Sequence, residues 1–158
     1  MQLAVVSSRA GAGIDAPPVV VEVHVSNGLP ALNIVGLPET AVKESKDRVR
    51  SAILSSRFEF PSRRITVSLA PADLPKEGAR FDLPIALGIL AATGQIPPPA
   101  LAGHEFVGEL ALTGALRPIR GALPVALAAR ASGARLVLPV ENAVEAVRIV
   151  PHEVLSCA

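Results

Sequence analysis

The residues of this chain that could do chemistry are few and lie far apart. The three histidines, His24, His104 and His152, lack the HxxxH-like spacing of zinc sites. The pattern GxxxxGK(S/T), whose glycines and lysine hold nucleotide phosphates, does not occur in the sequence. The sequence therefore predicts neither a zinc site nor ATP hydrolysis by this chain itself.

Two other patterns admit a binding role, but in each case the residues favour a simpler interpretation. Glu105 and Glu109 are four residues apart in a strand pattern and would share one face, which we interpret as an exposed acidic edge. A turn at Gly36 leads from a strand into a helix and could bind phosphate. Glu39, however, places a negative charge in the first helical turn, where it would repel a second anion. We predict no phosphate site at this turn.

A local excess of positive charge lies between residues 43 and 80, which carry nine bases against five acids. Arg63 and Arg64 precede a predicted strand, and Lys76 and Arg80 follow it. Such an excess is a candidate footprint for a nucleic-acid backbone, and the alternative is scattered surface charge. The chain has four phenylalanines and no Trp or Tyr, so a base-stacking platform is not predicted. Any contact with DNA would be with phosphates, without sequence specificity.

The elements that must position these residues follow from the apolar periodicity of the chain. Strands are predicted over residues 2–9, 19–25, 31–35, 65–70, 106–112, 115–118 and 135–139. Helices are predicted over residues 38–57, 83–93 and 125–132, and a further helix from Asn142. Asn27-Gly28 predicts a hairpin, so that the first three strands form an antiparallel meander. Asp82 is placed to cap the apolar helix at 83–93. This order predicts an α/β sandwich with helices packed on a mixed sheet.

Composition limits the classes of protein to which the chain could belong. The 158 residues are 50% hydrophobic and 18% charged, which is typical of one compact domain that folds without disulfides or metals. A net charge of +1 gives no global attraction to nucleic acid or membrane. The longest apolar run, residues 83–92, is well short of the ~20 residues of a membrane span. The N-terminus does not have the pattern of a secretion signal, so we expect a cytoplasmic protein without a membrane partner.

Three long motifs carry a resemblance to a known family. GLPETAVKESKDRVRSAI, ITVSLAPADLPKEGARFDLPIAL and FVGELALTGALRPIRGAL begin at Gly36, Ile65 and Phe106. Together they resemble the N-terminal domain of the Mg-chelatase-like ATPases, the ComM (YifB) competence family. The resemblance covers essentially the whole chain. It implies the fold of the Lon protease proteolytic domain, a ribosomal-protein-type β-α-β sandwich shared by the C-terminal domain of the RadA recombination protein.

The same resemblance implies a domain organisation and partners. Residues 1–150 would form one Lon-like domain, and residues 151–158 would lead toward an AAA+ ATPase module that this chain lacks. ATP and magnesium would be cofactors of that module, and none is expected in this chain. The expected partners are the AAA+ module, neighbouring subunits of a homo-hexamer, and DNA. The family is implicated in ATP-driven branch migration of DNA during recombination in natural transformation.

The resemblance also makes a catalytic role testable. Lon-type proteases carry a nucleophilic serine in a G-P-S-A-G loop, and the matching position here is Arg80. Their catalytic lysine follows a T-G-E…P-I-G-G motif, and the matching position is Leu123. A guanidinium cannot act as a nucleophile, and leucine offers no base. The resemblance therefore implies a domain without the protease dyad, in which Asp82 neutralises Arg80 or Arg80 contacts phosphate or a neighbouring subunit.

Three hypotheses for function remain open from the sequence. The first is a non-catalytic Lon-like domain that assembles or guides DNA in a ring-shaped motor. By analogy with RadA-like rings, its candidate contacts with the DNA backbone are Arg63, Arg64, Lys76 and Arg80. The second is an accessory domain of a magnesium-chelatase-type ATPase that inserts metal. The third is a cryptic Ser-Lys protease.

Overall fold

The computed structural model describes residues 2–147 and 154–157 and shows helices packed on a mixed β-sheet. The strands are β1 (Gln2–Arg9), β2 (Pro18–Ser26), β3 (Ala31–Val35), β4 (Arg64–Ala70), β5 (His104–Phe106), β6 (Glu109–Leu110), β7 (Leu116–Arg117), β8 (Arg135–Pro139) and β9 (Val154–Cys157). The helices are α1 (Thr40–Lys43), α2 (Ser45–Ser55), α3 (Asp82–Ala92), α4 (Ala122–Ala131) and α5 (Val140–Val147), with a 3₁₀ turn at Pro98–Leu101. The predicted domain boundary near residue 150 and His152 lie outside the described residues.

Seven strands form the main sheet, in the order β3-β4-β2-β1-β5-β8-β9. Strand β2 is antiparallel to both β1 and β4, whereas the pairs β3-β4, β1-β5, β5-β8 and β8-β9 are parallel. The sheet is therefore mixed, and the predicted α/β class is confirmed. In the part of the chain that the structure describes, no helix is long and apolar enough to cross a bilayer.

The predicted antiparallel meander is confirmed for β1 and β2, which pair antiparallel, but it is wrong for β3. Strand β3 does not pair with β2, because β4 lies between them and pairs in parallel with β3, from Ala31 opposite Arg64 to Val35 opposite Ser68. The inward residues of β4, namely Ile65, Val67 and Leu69, are completely buried. Every second residue of β3 is only half-buried. The strand with the larger apolar face takes the central position, and this overrides the local Asn-Gly hairpin signal.

Helix α3 forms the centre of the larger core, where it packs across β1 and β2. Ile85 and Ile89 are completely buried on it, as is the N-cap residue Phe81. Gly88 permits the close approach of the helix to the sheet, because a Cβ at that position would lie 2.4 Å from Cγ2 of Val23. The predicted apolar helix at 83–93 is thus confirmed as the central core element. A second core lies between α4 and β8 and includes Val125 and Leu136 among its buried residues.

Two predicted elements are divided in the structure. The helix predicted over residues 38–57 is interrupted at Glu44, where the Asp47 N–H donates to the Glu44 carbonyl in a tighter i→i+3 bond of 3.3 Å. The strand predicted over residues 106–112 becomes β5 and β6, which belong to different sheets. The chain leaves the main sheet at Gly108, whose N–H donates to Arg80 O and whose carbonyl accepts from Leu83 N. A contact with α3 therefore replaces the continuous strand.

Candidate functional site

A cleft with a volume of ≈ 480 Å³ lies beside the start of α3. We call it the Arg80 cleft. It forms where the loop before α3 meets strand β6 and the loop before α4. Its lining residues are Gly11, Glu77, Gly78, Ala79, Arg80, Glu109, Pro118, Ile119 and Arg120. The cleft therefore joins four segments of the chain, because Gly11 comes from the turn between β1 and β2.

The Arg80 guanidinium is partly buried in this cleft and has unused hydrogen-bonding capacity. Its Nη2 donates to the Arg120 carbonyl at 2.7 Å, while Nη1 is buried with no partner among the described residues. Burial lowers the pKa of Arg80, and the nearby Glu77 carboxylate opposes this shift. A Cβ at position 11 would lie 2.9 Å from Nη2, so Gly11 lets the guanidinium lie against the backbone. The side chain is thus built into the cleft wall.

The two positions assigned to a protease dyad by resemblance lie on adjoining segments of this site. Arg80 bonds to the carbonyl of Arg120, and α4 begins two residues later at Ala122. Leu123 is the second residue of that helix and is half-buried. One position thus presents a guanidinium and the other an isobutyl group. Neither side chain can be a nucleophile or a base at neutral pH.

Asp82 does not have either of the two roles that the sequence suggested for it. It is the first residue of α3, its preceding residue Phe81 is the N-cap, and no side-chain cap hydrogen bond is formed there. The completely buried carboxylate instead accepts hydrogen bonds from Ser45 Oγ, from Arg48 Nε at 2.7 Å, and from the Leu110 N–H at 3.0 Å. Its charge partner is therefore Arg48 rather than a neighbour in the cleft.

The Ser45–Arg48–Asp82 cluster was missed by sequence reasoning. It joins α2 to α3, and the Asp82 carboxylate raises the pKa of Arg48 through its hydrogen bond, against the effect of burial. A signal was present in the sequence, since a serine on the buried stripe of α2 is followed one turn later by an arginine. A polar residue on an otherwise apolar face requires a buried partner. The sequence alone does not identify which acid is that partner.

Lys76 is completely buried, although it was a candidate for contact with DNA. Its Nζ donates to the carbonyl of Gly36 at 2.7 Å and to that of Pro71. Its backbone also bonds to the turn before α1, accepting from Glu39 N at 3.0 Å and donating to Leu37 O at 3.1 Å. Burial lowers the pKa of the ammonium, with an opposing effect from Asp73. In this structure Lys76 joins two loops and presents no charge to a surface ligand.

Arg63 and Arg64 lie at the other end of β4 from Lys76 and Arg80. Arg64 is the first residue of the strand and is exposed, on the opposite sheet face from the buried Ile65. Arg63 lines a separate groove of ≈ 250 Å³, which we call the Arg63 groove. Its lining residues are Pro30, Ala31, Leu32, Lys46, Asp47, Arg50, Phe60, Pro61, Ser62 and Arg63. Arg63 and Arg64 therefore lie at one end of β4, a strand of about 20 Å, and Lys76 and Arg80 follow its other end.

The predicted acidic edge at Glu105 and Glu109 is wrong for Glu105. Its carboxylate is buried and pairs with Arg9 Nε at 2.7 Å. The same guanidinium donates to the carbonyl of Ala16 and to Ser132 Oγ, so this pair connects β1 and β5 with the helical layer. Across residues 2–147 and 154–157, no group of three or more His, Cys, Asp or Glu residues could hold a metal ion.

Comparisons with known proteins identify the class to which this architecture belongs. A profile of the family described as subunit ChlI of Mg-chelatase matches residues 21–142. This range includes the Arg63 groove and the Arg80 cleft, except for Gly11. The chain therefore belongs to the Mg-chelatase-like family, as the three motifs indicated.

The relatives narrow this family to one branch. The chain is 57% identical over 145 residues to the protein YifB of Salmonella typhimurium, a match that covers 92% of the chain and 29% of the relative. It is 58% identical over 146 residues to competence protein ComM of Haemophilus influenzae, again covering 92% and 29%. Protein Rv2897c of Mycobacterium tuberculosis is 41% identical over 140 residues, or 88% of this chain and 28% of the relative. The chain thus belongs to the ComM/YifB branch and spans less than a third of the length of these relatives.

Proposed function

We propose that this chain is the non-catalytic N-terminal domain of a ComM-type AAA+ ATPase. In this proposal it supports assembly of a ring and guides DNA during ATP-driven branch migration. The observation that carries the proposal is its 58% identity, over 92% of its length, to a protein named for competence. The family resemblance found in the motifs connects that branch with recombination of imported strands.

The non-catalytic part of the proposal rests on the Arg80 cleft. A Lon-type site needs a hydroxyl and a lysine amine within hydrogen-bond reach of each other. Here Arg80 donates to a backbone carbonyl, and Leu123 presents an aliphatic group. Both positions retain a structural role, because the first joins two loops and the second is half-buried on α4. ATP and Mg²⁺ would be held by the ATPase module and would supply the phosphoryl-transfer chemistry there.

The test uses the full natural chain that carries these residues, assembled with ATP and Mg²⁺. Its binding to a branched DNA junction is measured by fluorescence anisotropy at several salt concentrations, together with migration of the junction. We expect binding that weakens linearly with the logarithm of salt concentration, as phosphate contacts require. An ATP-loaded hexamer that does not bind branched or single-stranded DNA would overturn the proposal.

A second function is favoured by the name of the family, which describes a subunit of Mg-chelatase. An accessory role in metal insertion would make the full protein insert magnesium into a porphyrin when partner subunits are added. Porphyrin absorbance measures that reaction directly. Metal insertion without DNA binding would select this function, and casein cleavage abolished by changing one serine would select the protease alternative.

A further inference from the structure

The Arg63 groove combines positive side chains from two elements that are distant in the sequence. Lys46 and Arg50 come from α2, and Arg63 comes from the segment that enters β4. Asp47 is the single acid among the lining residues. Lys46 and Arg50 are one helical turn apart, which spaces their α-carbons by about 6 Å along the helix. The groove therefore presents a row of cations and not one point charge.

Lys46, Arg50 and Arg63 form no ion pair with the residues that the structure describes. The ion pairs found among the described residues join Arg9 to Glu105, and Arg48 to Glu44 and Asp82. None of them involves a base of the groove.

The bases of the groove have neutral neighbours instead. Arg63 donates to two neutral amides, Gln2 Oε1 at 2.7 Å and Asn27 Oδ1 at 3.4 Å, and its Nε has no partner among the residues described. Arg50 lies over the Phe60 ring, 5.7 Å from its centroid. That contact positions the guanidinium and leaves its charge intact.

The basic residues of helix α2 therefore lie on two different faces of the helix. Arg48 faces the interior and is matched by the buried Asp82 carboxylate. Lys46 and Arg50 face the groove and keep their charge available. A row of three bases against one acid beside an open groove fits a ligand that carries regularly repeated negative charges.

We propose that the Arg63 groove, through Lys46, Arg50 and Arg63, holds the phosphate backbone of a nucleic-acid strand. This inference rests on the proposed function, and it identifies which face of the domain meets the DNA. Two of these three residues, Lys46 and Arg50, were not among the candidates from the sequence. The groove contacts phosphates only, so it binds without sequence specificity.

The test compares two variants of the full natural chain that lose the same charge. In the first, K46Q/R50Q/R63Q removes the bases of the groove. In the matched control, R57Q/R117Q/R135Q removes three exposed arginines from elsewhere on the domain. Binding to a labelled single-stranded oligonucleotide is measured at several salt concentrations, and circular dichroism checks that both variants fold.

We expect the groove variant to bind more weakly and the control to bind like the parent. Loss of three phosphate contacts should make the slope of log K against log salt concentration shallower by about 2 for a single strand. A second variant, Asp47→Asn, removes the one acid among the described lining residues of the groove and should bind more tightly than the parent. This gain of binding does not depend on a loss of folding.

The outcomes separate this inference from the proposed function. A parent protein that binds DNA, together with a folded groove variant of unchanged affinity and slope, would overturn the inference and leave the proposed function intact. A parent that does not bind DNA would overturn both. The binding of a glutamate-rich peptide is measured with the same variants. If the groove variant loses peptide binding but keeps DNA binding, the groove binds an acidic protein segment and the inference is overturned.

Discussion

At the scale of single residues, the position of Asp82 at a helix start is compatible with two roles, a helix cap or a partner for another helix. An acid at the start of a helix is a common cap, because it accepts hydrogen bonds from free backbone donors and faces the positive end of the helix dipole. In this chain the carboxylate turns toward α2, where Ser45 and Arg48 bind it. Its complete burial makes it a determinant of helix packing.

Removal of the Asp82 carboxylate should therefore be costly. We expect Asp82→Ala to lower the free energy of unfolding by about 3–5 kcal/mol, because Arg48 would be left in a partly buried site without its main counter-charge. Urea denaturation of this chain measures the change. The control is Glu44→Ala, since Glu44 is 62% exposed and lies 3.6 Å from the same guanidinium. That surface pair should contribute less than about 1 kcal/mol, and an equal loss in both variants would contradict the argument.

Lys76 should give the stability of the domain a distinctive dependence on pH. Its pKa in the folded state lies below the ordinary value of 10.5, because burial disfavours the ammonium. As the pH rises toward 10.5, the folded state loses this proton before the unfolded state does, so the free energy of unfolding should rise with pH in that window. Lys76→Met should lack this rise.

Unfolding in urea between about pH 8 and pH 10.5 measures the effect of Lys76. The control is Lys43→Met, which removes an exposed lysine of helix α1 and should keep the pH dependence of the parent. An identical pH dependence in the parent and in Lys76→Met would show that the buried ammonium keeps its ordinary pKa.

At the scale of elements, the approach of α3 to the sheet depends on the absence of one methyl group. Gly88→Ala would place a Cβ 2.4 Å from Cγ2 of Val23, which is completely buried. We expect an overpacking cost of about 1–3 kcal/mol, offset by about 1 kcal/mol of improved helix propensity. Thermal unfolding measures the net loss. The double variant Gly88→Ala/Val23→Ala should lose less than the sum of its single changes, and simple additivity would contradict a clash at this contact.

Local patterns predicted many of the elements, but not how the strands pair. The bounds of β1, β3 and β8 match the predicted strands, because each is an apolar or β-branched segment between turn residues. The position of β4 between β2 and β3 could not be predicted, because it depends on how much apolar surface each strand can bury. The departure of the chain at Gly108 likewise depends on a distant contact, because its carbonyl accepts from Leu83 N of α3.

At the scale of the whole molecule, the sequence grouped basic residues that the structure separates. Arg63, Arg64, Lys76 and Arg80 were grouped because they lie within a short part of the chain. The structure buries Lys76 and separates the arginines along β4. Local periodicity does not predict contacts between residues forty positions apart, such as the hydrogen bond from Arg80 to the Arg120 carbonyl. The Arg63 groove was also not predicted, since it requires α2 to lie beside the entrance to β4.

The separation of the Arg63 groove from the Arg80 cleft has a consequence for how the molecule can be dissected experimentally. The two sites share no lining residue, and β4 separates Arg63 from Arg80 along the chain. Perturbations at distant sites without common partners contribute additively to free energies. One site can therefore be altered while the other serves as an internal reference within the same molecule. Any departure from additivity between a groove substitution and a cleft substitution would measure communication between the two sites.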